Sequence, residues 1–504
     1  MLARSISAAL IGIEAIVVEI ELDIVRGLPG FSIIGLPDST IKESKDRIRS
    51  AIENSGYEFP PQNFVANLAP ACCKKQGSSF DLAISLALLQ STGQLEHPII
   101  PAIGELALDG RVKPVRGALS MALAFWKAGF RHLILPEENA AEGAIIEGLT
   151  CYGVRTLKHA IDALRGKVHP SARDDDAFSG QVEFPFDFSN VYGQESVRRA
   201  VEIAAAGHHN LLMYGPPGAG KSLIAKCIPS ILPPMTREQS IETTMIHSVG
   251  GSLAPRTGLM VTPPFRNPHH TASDIALVGG GRVPSVGEIS LAHNGVLFLD
   301  EFSEFQRNAL QTLRQPMEDH AVTISRASGN VRYPCDFMLV AATNPCMCGY
   351  YFDEEISCRC TPGDLSRYRK ALSGPVLDRI DIEIYVPRIP YKKLMDRGDG
   401  EKSETIRARV ARARMVQHDR FARKKIRFNA RMSSEEVKRY CAIEADSARI
   451  FEGAVSRLQL SSRSIFRILK IARTIADIEG SSCISSSHIG EALSYKSVSN
   501  RYMQ

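Results

Sequence analysis

The first 165 residues switch repeatedly between two hydrophobic patterns. Ala15–Leu22 and Phe31–Ile34 read as strands, whereas Ser39–Asn54 carries apolar residues at helical spacing with Asp38 placed to cap it. Asp81–Gln90 reads as a second, largely apolar helix, and His132–Leu135 as a short buried strand. From Gly166 to Asp187 the pattern stops. A His-Pro-Ser step, three successive aspartates and Phe-Pro-Phe have the composition of a linker. Between 188 and 387 short apolar runs return, separated by helix-forming stretches and glycine-rich turns, the alternation of a parallel α/β sheet. From 388 onward the chain is nearly all helix-forming. The expected layout is an α/β chain in four parts: an N-terminal α+β domain over 1–165, a linker over 166–187, a central α/β domain over 188–387 and a helical domain over 388–504.

Composition narrows the class without naming a function. A chain of 504 residues, 44% hydrophobic and 23% charged, suits soluble globular protein. It has no run of about 18 uncharged apolar residues, so no membrane span is expected. Glu14, Glu19 and Glu21 interrupt the apolar N-terminus, which reads as a folded strand pair and not as a signal peptide; the expected location is the cytoplasm. Eleven cysteines in such a chain are expected as free thiols or metal ligands. A net charge of +5 permits a nucleic-acid partner without arguing for one.

The strongest chemical signal follows the apolar run Leu211–Tyr214. Gly215, Pro216, Pro217, Gly218, Ala219, Gly220, Lys221 and Ser222 satisfy G-x-x-x-x-G-K-S/T between a strand and a helix, which is the context a P-loop requires. Glycines let backbone N–H groups approach phosphate oxygens, and the helix N-terminus adds positive potential. Lys221 offers a point charge to the β- and γ-phosphates of ATP, and Ser222 a hydroxyl to Mg²⁺. A second apolar strand, Val296–Leu299, ends in Asp300 and Glu301. Paired acids fit there because ligands bind at the carboxyl ends of such strands. Asp300 is expected to hold Mg²⁺ and Glu301 to activate the attacking water. A third strand, Phe337–Ala342, leads to Asn344, which can position that water or simply close a turn before Pro345. Arg379 precedes a fourth apolar strand, Ile382–Val386; it can neutralise a γ-phosphate or pair with Asp378 or Asp381.

Together these residues resemble the magnesium-chelatase-like branch of the AAA+ ATPases, and within it the ComM/YifB family of bacteria. The specific stretches are Pro268–Asp274 (PHHTASD), Gly287–Glu301 (GEISLAHNGVLFLDE) and Leu372–Asp381 (LSGPVLDRID), and the resemblance covers the whole chain. It implies a central AAA+ domain with a helical lid and a ring, usually a hexamer. It also makes Asn344 the sensor-1 residue, Arg379 a finger acting on the next subunit, and Arg463 the sensor-2 residue. The family carries a hairpin before the sensor-1 strand, here Ala321–Tyr333 turning at Ala327–Asn330; Arg326 and Arg332 are its candidates for DNA phosphate contacts or are two solvated cations. His269 and His270 lie in a second insert, Thr262–Gly287. No further ligand follows at suitable spacing, so they read as structural.

Residues 1–165 resemble the Lon-protease-like domain, with Ser79 where that family keeps its nucleophile. The matching segment Val115–Met121 holds no lysine, and Leu119 stands near the expected base. A serine without a base is a weak nucleophile, so this domain is expected to be inactive as a peptidase. Cys346, Cys348, Cys358 and Cys360 form a C-x-C…C-x-C set that fits either a closed structural Zn²⁺ site or a loop of surface thiols. Glu401–Arg427 is dense in arginine and lysine, opposed only by Glu401, Glu404 and Asp419; it reads as a phosphate-binding stripe or a solvated helix face. The function implied is an ATP-driven hexameric DNA motor, a branch-migration helicase acting on single-stranded and branched DNA during natural transformation. The alternatives are a protein-remodelling or chelatase-type ATPase and, disfavoured by the missing lysine, an ATP-dependent protease.

Overall fold

In the strand Glu14–Val25, Val18, Ile20 and Leu22 are buried on one face while Glu19 and Glu21 point away, the alternation that seats one face of a sheet on a core. The computed structural model describes residues 2–172, 184–254, 257–281, 285–326, 329–353, 355–372, 376–389, 400–422, 424 and 426–496. The N-terminal sheet runs Ala3–Ile11, Glu14–Val25, Asn63–Ala69, Gly30–Ile34; the last pair is parallel and the others antiparallel. Helix Ser39–Asn54 packs against it, capped by Asp38, whose carboxylate accepts from the Ile41 N–H at 2.9 Å. Helix Asp81–Ser91 is buried from Asp81 through Leu89, as an apolar-all-round helix must be. His132–Pro136 pairs in parallel with Thr150–Val154. The Asp174–Asp176 run of the expected linker lies outside the described residues.

The central unit is a five-stranded parallel sheet. Its order is Phe265–Arg266, Val296–Leu299, Met338–Thr343, Leu211–Tyr214, Ile382–Tyr385. Three of these strands are fully buried, which explains why they read as continuous apolar runs instead of alternating ones. Register brings Tyr214, Thr343 and Tyr385 level at one end, so the chain leaves the sheet there together at Gly215, Asn344 and Val386. At the other end Asn210 holds the strands together. Its side chain donates to the Arg379 carbonyl at 2.9 Å and accepts from the Leu339 N–H at 3.0 Å, while its backbone N–H reaches Asp381 at 3.1 Å.

The C-terminal part is helical: Ser403–Arg420, Ser434–Tyr440, Ala445–Arg457, Ser462–Glu479 and Ser486–Ser494. Its apolar faces join one core with one side of the central sheet, from Phe188 to Tyr495. The whole is a mixed α/β protein, and no helix among the described residues is long and apolar enough to cross a membrane. The N-terminal unit meets the central one through helix Arg237–Gly250. Buried Glu142 accepts hydrogen bonds from Ser248, Asn139 and the Leu119 N–H, and the Gly117 N–H donates to the Ser248 carbonyl at 3.2 Å.

Candidate active site

After the buried strand Leu211–Tyr214 the chain turns through Gly215–Gly220 into helix Lys221–Ile231. Gly218 and Gly220 take φ of +76° and +86°, left-handed values that glycine adopts without strain. A Cβ on Gly215 would lie 2.4 Å from the Val386 carbonyl oxygen, so only glycine fits against the neighbouring strand end. The loop leaves the unpaired N–H groups of a helix start facing a cradle. Lys221 is buried in it, its Nζ 2.6 Å from the Gly215 carbonyl, 3.0 Å from that of Pro216 and 3.2 Å from Asn344 Oδ1. Burial brings its pKa down to about 8, with the Asp300 carboxylate pulling the other way. Gln194 braces the loop from behind, donating to the Ala219 carbonyl at 2.9 Å and to Pro387 at 3.0 Å. Nothing local in the sequence marks it, because its partners lie 25 and 193 residues away.

Ser222 donates to Asp300 Oδ2 at 2.6 Å, so the hydroxyl and carboxylate expected to share Mg²⁺ already meet at the strand end. Two hard oxygen donors beside a phosphate cradle fit a Mg²⁺ that keeps its remaining positions for water and phosphate. Glu301 follows, with φ +51° and its side chain largely exposed. His270 Nδ1 lies 3.0 Å from Glu301 Oε2. The structural reading of His270 therefore omits a contact that the sequence could not reveal, because the insert folds back onto the strand end.

Asn344 lies at the end of strand Met338–Thr343 with its side chain on Lys221, and its carbonyl accepts from the Tyr368 hydroxyl at 2.8 Å. Just beyond it, the sulfur atoms of Cys346, Cys348, Cys358 and Cys360 all fall within 4.8 Å of one another. Burial pushes the Cys346 thiol up to about 12. Burial also works against the Cys348 thiolate, but the backbone N–H groups of Tyr350 and Arg359 and the neighbouring thiols outweigh it and bring that pKa to about 6.

Arg379 sits elsewhere. It ends the short helix Leu377–Arg379 at the N-terminal end of strand Ile382–Tyr385, level with Asn210 and not with the P-loop. A strand of this length spans about 13 Å, so Arg379 lies at the opposite end of the sheet from the P-loop of its own chain. It is buried and paired with Glu318. Arg463 joins the same cluster, 3.7 Å from Glu318, and Arg467 lies 3.8 Å from Asp381. Burial would raise the Asp381 carboxyl, but His209 and Arg467 hold it well below its ordinary range. Glu318, Arg379, Asp381, Arg463 and Arg467 line one cavity of about 230 Å³ with Lys470. Arg463 thus keeps company with Arg379 and not with Lys221.

The expected hairpin is present as Ala321–Arg326 paired antiparallel with Gly329–Pro334. Arg332 is exposed, opposite Thr323; the side chain of Arg326 and residues 327–328 fall outside the described residues. Part of the basic stripe is engaged within the protein, while Lys402, Arg412, Lys424 and Arg427 are exposed. Arg409 pairs with Glu202 and Glu401, Arg414 donates to the Ala205 carbonyl at 2.7 Å, and Arg420 bonds Asp477 at 2.7 Å. Ser79 is buried with its hydroxyl 3.4 Å from the Ala8 carbonyl, and Leu119 is fully buried.

With this geometry in hand, comparisons with known proteins are specific. Residues 187–394 match the family described as "Magnesium chelatase, subunit ChlI", residues 20–139 "Subunit ChlI of Mg-chelatase" and residues 400–496 "Magnesium chelatase, subunit ChlI C-terminal". The chain is similar to the protein YifB of Salmonella typhimurium, 42% identical across 97% of this chain and 96% of that one. It is similar to the competence protein ComM of Haemophilus influenzae, 40% identical across 99% and 98%. A 67 kDa magnesium-chelatase subunit of Chlorobaculum parvum is 26% identical over 31% of this chain and 23% of its own.

Proposed function

The chain belongs to the magnesium-chelatase ChlI family, in the branch that holds YifB and competence protein ComM, and from that membership we propose that it is an ATP-hydrolysing, ring-forming DNA motor. The observation that carries the reading is one mouth where Lys221 meets Asn344 and Ser222 meets Asp300. Lys221 and the P-loop N–H groups bind the triphosphate. Ser222 and Asp300 would hold Mg²⁺, which would supply charge neutralisation to the triphosphate. Glu301 takes the proton of the attacking water, and Asn344 orients that water as sensor 1. Water adds to the γ-phosphorus, the bond to the β-phosphate oxygen breaks, and ADP and phosphate leave.

The position of Arg379 at the far end of the sheet supports an oligomer. Arg379 reaches the γ-phosphate of a neighbouring copy, with Arg463 beside it as sensor 2, so a closed hexameric ring completes each site. The ring works in the cytoplasm on single-stranded and branched DNA, gripped through phosphates by Arg326 and Arg332, and drives branch migration of incoming DNA in natural transformation. The N-terminal domain, Lon-protease-like, serves assembly or DNA binding and cleaves no peptide. A chelatase-type or protein-remodelling ATPase is the second reading. The observation that favours it is the internal pairing of Arg409, Arg414 and Arg420, which takes three cations of the basic stripe away from DNA. ATP turnover measured with forked, single-stranded and duplex DNA separates the two. The motor reading expects forked and single-stranded DNA to accelerate hydrolysis more than duplex, and no response to any DNA would sink it. A peptidase assay in which Ser79→Ala abolished cleavage would overturn the inactive reading of the N-terminal domain.

A further inference from the structure

The loop between Asn344 and helix Pro362–Leu372 folds its cysteines onto one point. Cys346 Sγ lies 3.3 Å from Cys348 Sγ and 3.7 Å from Cys358 Sγ, and Cys348 lies 3.5 Å from Cys358. These separations are well beyond the ~2.05 Å of a disulfide bond. They fall near the ~3.8 Å edge of a tetrahedron whose centre is ~2.3 Å from each sulfur, the Zn²⁺–thiolate distance. Cys360 completes the set, and all four sulfurs lie within 4.8 Å of one another. Four soft ligands converging with a tetrahedral edge suit zinc, and a closed site with no open position is structural in type.

What the loop touches gives the site a second meaning. Gly349, one residue past Cys348, has φ +87°, and a Cβ there would lie 2.6 Å from Pro217 Cδ in the P-loop. Asn344, two residues before Cys346, contacts Lys221. Beyond Cys360, Tyr368 donates to the Asn344 carbonyl at 2.8 Å. The cysteine loop is therefore one wall of the nucleotide cradle, and both of its flanks are pinned to that cradle. Asp353 steadies the loop by accepting from the Glu355 and Ile356 N–H groups.

We propose that Cys346, Cys348, Cys358 and Cys360 bind one Zn²⁺ as four thiolates, and that this ion locks Asn344 and Gly349 against the P-loop so that metal occupancy sets nucleotide affinity. The four thiols release their protons to solvent as the four Zn–S bonds form, and no oxidant or reductant is needed. The metal site stands on its own geometry, whereas its coupling to nucleotide rests on the ATP reading of the P-loop.

The test uses the purified full-length chain. Elemental analysis is expected to find about one zinc per chain. The Lys221→Ala variant keeps that zinc while losing ATP binding, which separates the two claims. Zinc drawn off the wild-type chain by a mercurial, then restored with thiol and zinc chloride, lowers affinity for a fluorescent ATP analogue about tenfold and then returns it. The Cys358→Ser/Cys360→Ser double variant holds no zinc and shows the same weakened affinity. The reversible removal covers the case in which that variant fails to fold. A zinc-free native chain whose four thiols all react freely overturns the site. Full zinc with unchanged ATP-analogue affinity after removal overturns the coupling. A chain that holds its zinc but binds no ATP keeps the metal assignment and refutes the nucleotide reading.

Discussion

Lys221 is a buried cation 2.6 Å from the Gly215 carbonyl, with its pKa lowered to about 8. Phosphate binds the ammonium form and so raises that pKa. Below about pH 8 the free protein already carries the proton; above it, binding must take one up. Affinity for Mg·ATP is therefore expected to be flat from about pH 7 to 8 and to weaken by up to about tenfold per unit above that. Titration calorimetry checks this, and an affinity that rose with pH would contradict it. Lys221→Ala removes the charge and should abolish binding. Glu301→Gln keeps the cradle and should bind ATP while hydrolysing it about 10²–10⁴-fold more slowly, read by single-turnover phosphate release. At this scale the sequence was informative wherever the chemistry is contiguous. Lys221 and Ser222 belong to one motif, and Asp300 and Glu301 to one strand end. Gln194 on Ala219 and His270 on Glu301 were invisible because each contact joins segments that meet only in the folded chain.

Four of the five strands of the central sheet were legible to within a residue, because buried parallel strands are short unbroken apolar runs, whereas the two-residue edge strand Phe265–Arg266 lay hidden in the expected insert Thr262–Gly287. The helices beyond 400 were legible as helices, but the task of their arginines was not. The same cation reads alike on a solvated face and in an ion pair, and only the arrival of a distant carboxylate decides. Asp477, in the last turns of helix Ser462–Glu479, is the hub of one such arrangement. It is buried and accepts from Arg420 at 2.7 Å, Arg473 at 3.0 Å and Asn429 at 2.8 Å. Asp477→Ala would remove the carboxylate that balances two guanidinium groups, which would keep only neutral acceptors such as Asn429 and the Ser481 and Ser482 carbonyls, a loss of about 3–5 kcal/mol. Denaturant unfolding measures it. A loss under about 1 kcal/mol would place those cations in contact with water, as for a surface pair.

Across the whole molecule, the central fact is a separation. The P-loop motif lies at the carboxyl end of the parallel sheet, and Arg379 with Arg463 lies at the amino end, beside Glu318. No sequence pattern states which end of a sheet a residue occupies; register does. The N-terminal unit contacts helix Arg237–Gly250 through buried Glu142, which accepts from Ser248 and the Leu119 N–H. The exposed Arg332 of the hairpin gives a separate prediction. Arg332→Ala should leave basal ATP hydrolysis within about twofold and reduce its stimulation by forked DNA, with a shallower salt dependence of DNA binding. Unchanged stimulation would remove the hairpin from the DNA path.

The most direct test of the account is complementation between two dead variants. Lys221→Ala lacks a working cradle but keeps Arg379, and Arg379→Ala lacks the finger but keeps the cradle. Each alone should hydrolyse ATP at under about a hundredth of the wild-type rate. Mixed and reassembled, they should regain a substantial part of that rate, because some sites then join an intact cradle to an intact arginine from the neighbouring copy. If the mixture is as inactive as its parts while wild-type chains exchange subunits freely, the site is not shared between copies.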